Sequence, residues 1–197
     1  MLSAAHPIRI AALLLSLLVA ACGGGEERRD FPPLHYDYLP PIRLNVAALE
    51  IEPRFVPSGT GADVSGLAPV RPVDALTTMG RDRLSPLGGG GRAVLAIQDG
   101  SLTQRGDAIS GSMAVSLTIF RDDGGQAGFV EARVSRTSSG GSGGLRGRLY
   151  DLVVAMMSDM NVELEFQIRR NLRDWLNVPT AASMTVEQTP LAPPPSR

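Results

Sequence analysis

The 197-residue chain has one cysteine, two histidines, nine aromatic residues and no lysine; all 19 of its basic residues are arginine. A single cysteine leaves no internal disulfide framework and no cysteine-based zinc cluster. With 20 acidic residues against 19 basic ones the formal net charge is −1. A surface built for nucleic acid needs a basic excess, so that partner is excluded as the main one. Hydrophobic residues make up 43% of the chain, enough for a packed core and too many for global disorder. The absence of lysine in a chain rich in Gly, Ala and Arg reads as coding bias more than as chemistry.

The one long apolar run is Ile10 to Ala21, after a short polar start with His6 and Arg9. A membrane-spanning helix needs about 20 apolar residues, so this run is too short to be a permanent span. It fits the apolar core of a secretory signal peptide over residues 1–21, ending in small residues. The only cysteine follows at once, in Val19-Ala20-Ala21-Cys22-Gly23. This resembles the lipobox of bacterial lipoproteins. The resemblance implies an acylated Cys22 as new N-terminus, anchoring the chain to a membrane. Gly rather than Asp at position 23 implies, by the same resemblance, the outer membrane, with the protein facing the periplasm.

Residues 22–42 read as a lipidated, Pro/Gly-rich tether. Gly23-Gly24-Gly25 is flexible, and Pro32-Pro33 and Pro40-Pro41 favour extended chain. Phe31, Tyr36 and Tyr38 nevertheless fall here, and a passive spacer has no use for them. Either this segment straps across the domain or it presents an aromatic motif to a partner. The strap is the plainer expectation, since aromatics usually find a buried face.

Residues 43–178 read as a single domain. Leu49 and Ile51 alternate with Glu50 and Glu52, the period of a half-buried strand, ended by Pro53 and Pro57. A Gly/Pro-rich loop covers 58–72. Val73, Leu76, Met79 or Gly80, and Leu84 then recur at helical spacing, and Pro86 with Gly88 to Gly91 closes that helix. Three strands follow as an antiparallel meander: Ala93, Leu95 and Ile97; Ile109, Met113, Val115, Leu117 and Ile119; Val130, Ala132 and Val134. A parity shift at Asp99-Gly100 predicts a bulge, and Asp122-Asp123-Gly124-Gly125 a hairpin turn. The Ser/Gly-rich stretch 137–144 leads into one long helix from Leu145 to about Leu176, its stripe running from Leu149 to Trp175, with Asn177 as cap. Residues 179–197 are expected to be a disordered Pro-rich tail. The order β-α-β-β-β-α predicts an α+β fold. It is a two-layer sandwich of a mostly antiparallel four-stranded sheet with two helices on one face.

Chemistry is sparse. A Ser-His pair would have to recruit His35 from a Pro-rich segment, where geometry is not held tightly enough for catalysis. Neither a metal site nor a cofactor site is expected, and the chain does not read as an enzyme. Asp159, Glu163 and Glu165 read as a solvated helix face. Gly88 to Gly91 lacks the ending of a phosphate loop, and Arg105-Gly106-Asp107 sits at a turn. The remaining candidate is basic. Arg169, Arg170 and Arg173 complement the dipole at the end of the long helix, and arginine forks also bind phosphate, on lipid headgroups among others. Met113, Met156, Met157 and Met160 would line an apolar groove in a carrier, although core packing is their commoner use.

In order of elements, residues 43–176 resemble lipopolysaccharide-assembly lipoproteins and, more loosely, the auxiliary lipoproteins of ABC-type lipid transporters. That topology implies a membrane-anchored, non-enzymatic accessory protein that binds an envelope protein during envelope assembly or transport. The alternative is a carrier of lipid or another small hydrophobic ligand. A filled sheet–helix interface would favour the first and an internal apolar pocket the second.

Overall fold

The computed structural model describes residues 29–59, 61–140 and 144–177. The chain divides into two compact units, residues 1–30 and 31–197. Only Arg29 and Asp30 of the first unit are described, so the expected leader, Cys22 and the glycines after it lie outside the described residues, as does the expected tail 179–197.

The second unit contains β1 (Ile42–Leu44), β2 (Ala48–Pro53), a single 3₁₀ turn (Ser65–Leu67), α1 (Pro72–Arg83), β3 (Leu84–Pro86), β4 (Arg92–Arg105), β5 (Ala108–Phe120), β6 (Gln126–Ser139), α2 (Gly144–Asn171) and a last 3₁₀ turn (Arg173–Trp175). The fold is α+β. A four-stranded sheet runs in the order β2-β4-β5-β6, with β2 parallel to β4 and the other pairs antiparallel.

The meander follows the expected alternation. Leu95 pairs with Leu117 and Ile97 with Val115 across β4 and β5; Leu117 pairs with Val130 and Val115 with Ala132 across β5 and β6. These residues share one face, and all of them are buried. The expected bulge is present, just before the position the parity shift gave it: the β4–β5 register slips between Ile97 and Asp99, and Asp99 and Gly100 are already back in register. The extra residue carries Leu102 onto the core face, where it is fully buried.

Both helices cover that face. Leu76 and Met79 of α1 and Leu149, Met156, Met160 and Ile168 of α2 join the sheet residues in one core. Pro72 opens α1, and Arg71 closes an ion pair on Asp74 in the first turn at 2.6 Å. At Gly80 the helix comes so near the sheet that a Cβ would lie 2.6 Å from a Leu95 methyl carbon.

Among the described residues the sheet's other face carries no helix. Small side chains (Ala96, Ala114, Ser116) form its floor, between charged pairs such as Arg92–Glu50 at 3.0 Å. Arg92 also lies over the Phe120 ring, 4.6 Å from its centroid.

Three boundaries differ from the sequence reading, each because tertiary pairing overrides local pattern. Leu84, assigned by its spacing to the helix, starts β3, which pairs in parallel with β1 as a second, two-stranded sheet. The long helix stops at Asn171. Its last residues turn so that Leu176 bridges Leu44, while Trp175 accepts a bond from the Asn45 amide at 2.8 Å. Trp175 is therefore not part of the helical stripe. Asn177 donates its amide to Arg43 at 2.9 Å instead of capping the helix. Finally, β6 runs to Ser139, through the start of the stretch read as a flexible connection.

Candidate functional site

The segment from Phe31 to Pro41 lies against the helices. Phe31 packs on Tyr150 of α2, ring centroids 5.3 Å apart, and the Tyr150 hydroxyl donates to the Pro32 carbonyl at 3.1 Å. The Tyr36 amide donates to the Asp82 carboxylate at 2.8 Å, and the Tyr36 ring is buried in the core. Tyr38 is 75% exposed. The three aromatics thus separate: Phe31 and Tyr36 hold a strap, and Tyr38 alone faces outward.

The buried Tyr36 hydroxyl has no hydrogen-bond partner among the described residues. Burial, with smaller contributions from Tyr38, Asp82 and Tyr150, pushes it far above the ordinary tyrosine range. A lone buried hydroxyl costs about 1 kcal/mol or more. Tyr36→Phe is therefore expected to raise the unfolding temperature by about 2–4 °C in a calorimetric scan. A fall of that size would mean that the hydroxyl is satisfied.

Pro40, at the strap's end, is tied down by a buried arginine. Arg83, at the end of α1, has a side chain only 3% exposed. Its guanidinium donates to the Pro40 carbonyl and, at 2.5 Å, to the Glu165 carboxylate of α2. Glu165 also accepts from Arg169 at 2.8 Å. Burial alone would raise the Glu165 carboxyl, but the bonds from Arg169 and Arg83 outweigh it and hold the carboxyl below its usual value. One residue of the expected solvated cluster is thus the joint between strap, α1 and α2. The other two go elsewhere: Asp159 pairs with Arg136 of β6 at 2.5 Å, and Glu163 accepts from Gln167 at 2.8 Å. Nothing in the sequence marked Arg83, because a charged residue in a helix's last turn ordinarily reads as a dipole complement.

Beside this joint the surface is basic. Phe166, Arg169, Arg170 and Arg173 line an open hollow of about 390 Å³. Arg169 also borders a neighbouring cleft of about 290 Å³, formed by Pro40, Pro41, Ile42, Arg43, Leu176 and Asn177. The three arginines read from the sequence are thus brought together, and the strand–strap corner adds Arg43. Arg169 is committed to Glu165. Arg173 donates to the Arg169 carbonyl at 3.2 Å, and Arg170 lies 5.8 Å from the Phe166 ring centroid. Among the described residues no carboxylate pairs with Arg43, Arg170 or Arg173. Phe166 is half exposed on the same surface.

The other sequence candidates have structural occupations. His35 is mostly exposed, 3.9 Å from Asp82. The Asp107 carboxylate receives Arg148 at 2.8 Å and the Gly140 amide at 2.8 Å, so the Arg-Gly-Asp turn is tied to the start of α2. Asp123 accepts from the Gly125 amide at 2.8 Å within the hairpin turn, and Asp122 accepts from the Gly91 amide at 2.7 Å, which ties the turn to the start of β4. No cluster of three metal-ligating side chains occurs among the described residues. Met113, Met156, Met157 and Met160 are all buried in the core.

No protein-family model matches this sequence, and no curated protein matches it.

Proposed function

We propose that the chain is a membrane-anchored lipoprotein of the bacterial envelope whose folded unit is a non-enzymatic binding module. It presents the arginine-lined hollow at the end of α2 to an acidic surface of an envelope protein. The observation that carries the reading is the gathering of Arg169, Arg170 and Arg173 beside the exposed Phe166 ring, with Arg43 in the adjoining cleft that Arg169 borders. Among the described residues Arg43, Arg170 and Arg173 have no carboxylate partner. Arginine forks beside an aromatic are the recurrent anchors of protein interfaces. The anchor rests on the apolar run that ends at Cys22. Gly23, by its resemblance to sorting signals, supports the outer membrane. The core, with Met113, Met156, Met157 and Met160 packed inside it, supports a surface partner over an enclosed hydrophobic ligand.

The test uses the full chain, purified from membranes of its own host beside the Arg170→Glu/Arg173→Glu variant and a Cys22→Ala variant. A stoichiometric envelope protein is expected with the unchanged chain and not with the double arginine variant. Cys22→Ala is expected to leave the membrane fraction or to accumulate unprocessed. Absence of a stoichiometric partner, or its retention by the arginine variant, overturns the binding reading. Normal processing and full membrane retention of Cys22→Ala overturns the anchor.

A further inference from the structure

The strand order leaves β6 at one edge of the main sheet, with no strand on its outer side among the described residues. An unpaired edge is a template for another chain, and proteins usually blunt it with proline, bulges or short strands. β2, at the opposite edge, ends after six residues at Pro53. β6 is 14 residues long and contains no proline, and its one bulge, at Ala127, lies near its start and leaves 128–139 in continuous register. Its one inward-pointing charge, Arg136, is neutralised by Asp159.

The sequence of this edge is complementary to itself. Val130, Ala132 and Val134 point to the core face; Phe129, Glu131, Arg133 and Ser135 alternate with them on the open face. Glu131 and Arg133 form an ion pair within the strand. A second copy laid antiparallel along β6, with the two-fold axis through Ala132, places Glu131 of each copy opposite Arg133 of the other, so that two such pairs merge into one alternating group of four charges. The same register sets Val130 opposite Val134 and Phe129 opposite Ser135. Core-facing residues then meet core-facing residues, because the pairing preserves parity. An axis through Glu131 or through Arg133 would stack like charges instead. The small side chain of Ala132 suits the axis itself. Phe129, 49% exposed, gains cover beside Ser135 of the second copy.

We propose that β6 is a homodimer interface, joining the four-stranded sheets of two copies into one continuous sheet in the register centred on Ala132. Opposite charges facing across strands and paired β-branched residues each favour that register. The interface is isologous, so it closes at two copies and does not propagate. The hollow at the end of α2 plays no part in it, and neither does the anchor.

The test is sedimentation of the full chain in density-matched nonionic detergent. Glu131→Arg and Arg133→Glu are made as separate proteins. Both side chains lie on the solvated face, and circular dichroism confirms that each variant is folded. The unchanged chain is expected to be dimeric at about 100 µM, suiting an interface at the small end of the usual range. Each variant alone faces like charge at both symmetric positions and is expected to dissociate at least about tenfold more readily. An equimolar mixture of the two restores opposite charges at both positions and is expected to form the heterodimer. A monomeric unchanged chain, variants that dimerise as it does, or a mixture that stays monomeric would each overturn the proposal.

Discussion

Glu165→Ala is expected to lower the unfolding temperature of the folded unit by about 6–12 °C. The reason is the arginine it abandons. Arg83 is almost wholly buried, and Glu165 supplies the only carboxylate that reaches it among the described residues. Breaking a buried pair from one side costs about 3–5 kcal/mol, because the remaining charge has neither water nor counterion. Glu165 itself is 33% exposed, so water reaches the site and the low end, about 3 kcal/mol, applies. A domain of this size loses about 2–4 °C per kcal/mol. Removing both charges, as in Arg83→Met/Glu165→Leu, is expected to recover most of the loss. A single variant within about 1 kcal/mol of the unchanged chain would show that the pair carries little.

The same joint sets part of the acid response. The folded-state carboxyl of Glu165 lies below its ordinary value of 4.5, so its contribution is fully present above that pH and lost as pH falls through the folded-state value. The unfolding temperature should therefore decline below about pH 4.5, and Glu165→Ala should flatten that decline. Some slope remains in the variant. Asp63, held down by the Ser65 backbone amide, and Asp159, held down by Arg136, act in the same direction.

Gly88→Ala is expected to cost about 3 kcal/mol or more, read as a lower denaturant midpoint at unchanged slope. A Cβ at position 88 would sit 2.5 Å from the Val46 backbone nitrogen and 2.7 Å from the Asn45 side-chain oxygen. Backbone cannot swing aside as a side chain can. Here it is also fixed by bonds from the Gly88 amide to Val46 at 2.8 Å and from the Leu87 amide to Leu44 at 2.9 Å. This corner carries the chain from the two-stranded sheet into the four-stranded one. The neighbouring Gly89 is the control: a Cβ there meets nothing within 4 Å, so Gly89→Ala should be neutral or slightly stabilising. Equal effects at both positions would mean that the corner is not tight.

The four-residue glycine run shows how far pattern reading reaches. Its sequence excluded a phosphate loop and marked the close of a helix, but Gly88 and Gly89 are chemically identical in it. Only the chain brought from residues 45 and 46 distinguishes them. The arginines divide in the same way. Arg169, Arg170 and Arg173 were legible as a group because one helical turn sets their spacing. Arg43, far away in sequence, joins them only because Leu176 bridges Leu44. Arg148, at the other end of the same helix, is claimed by the turn at Asp107.

Local periodicity determined the meander, its bulge and both helices. A two-residue period or a helical stripe is a consequence of which face each residue must bury, and that is written along the chain. The parallel pairing of β1 with β3, the early end of α2, the parting of Tyr38 from the strap that Phe31 and Tyr36 hold and the burial of Arg83 came from tertiary structure. Each joins segments distant in sequence, and each wins because satisfying buried backbone and charge outweighs the weak preference of a few residues for helix or loop. The scarcity of cysteine, histidine and lysine limited what chemistry the chain can carry. The fold decided which of its arginines are structural and which are left facing outward.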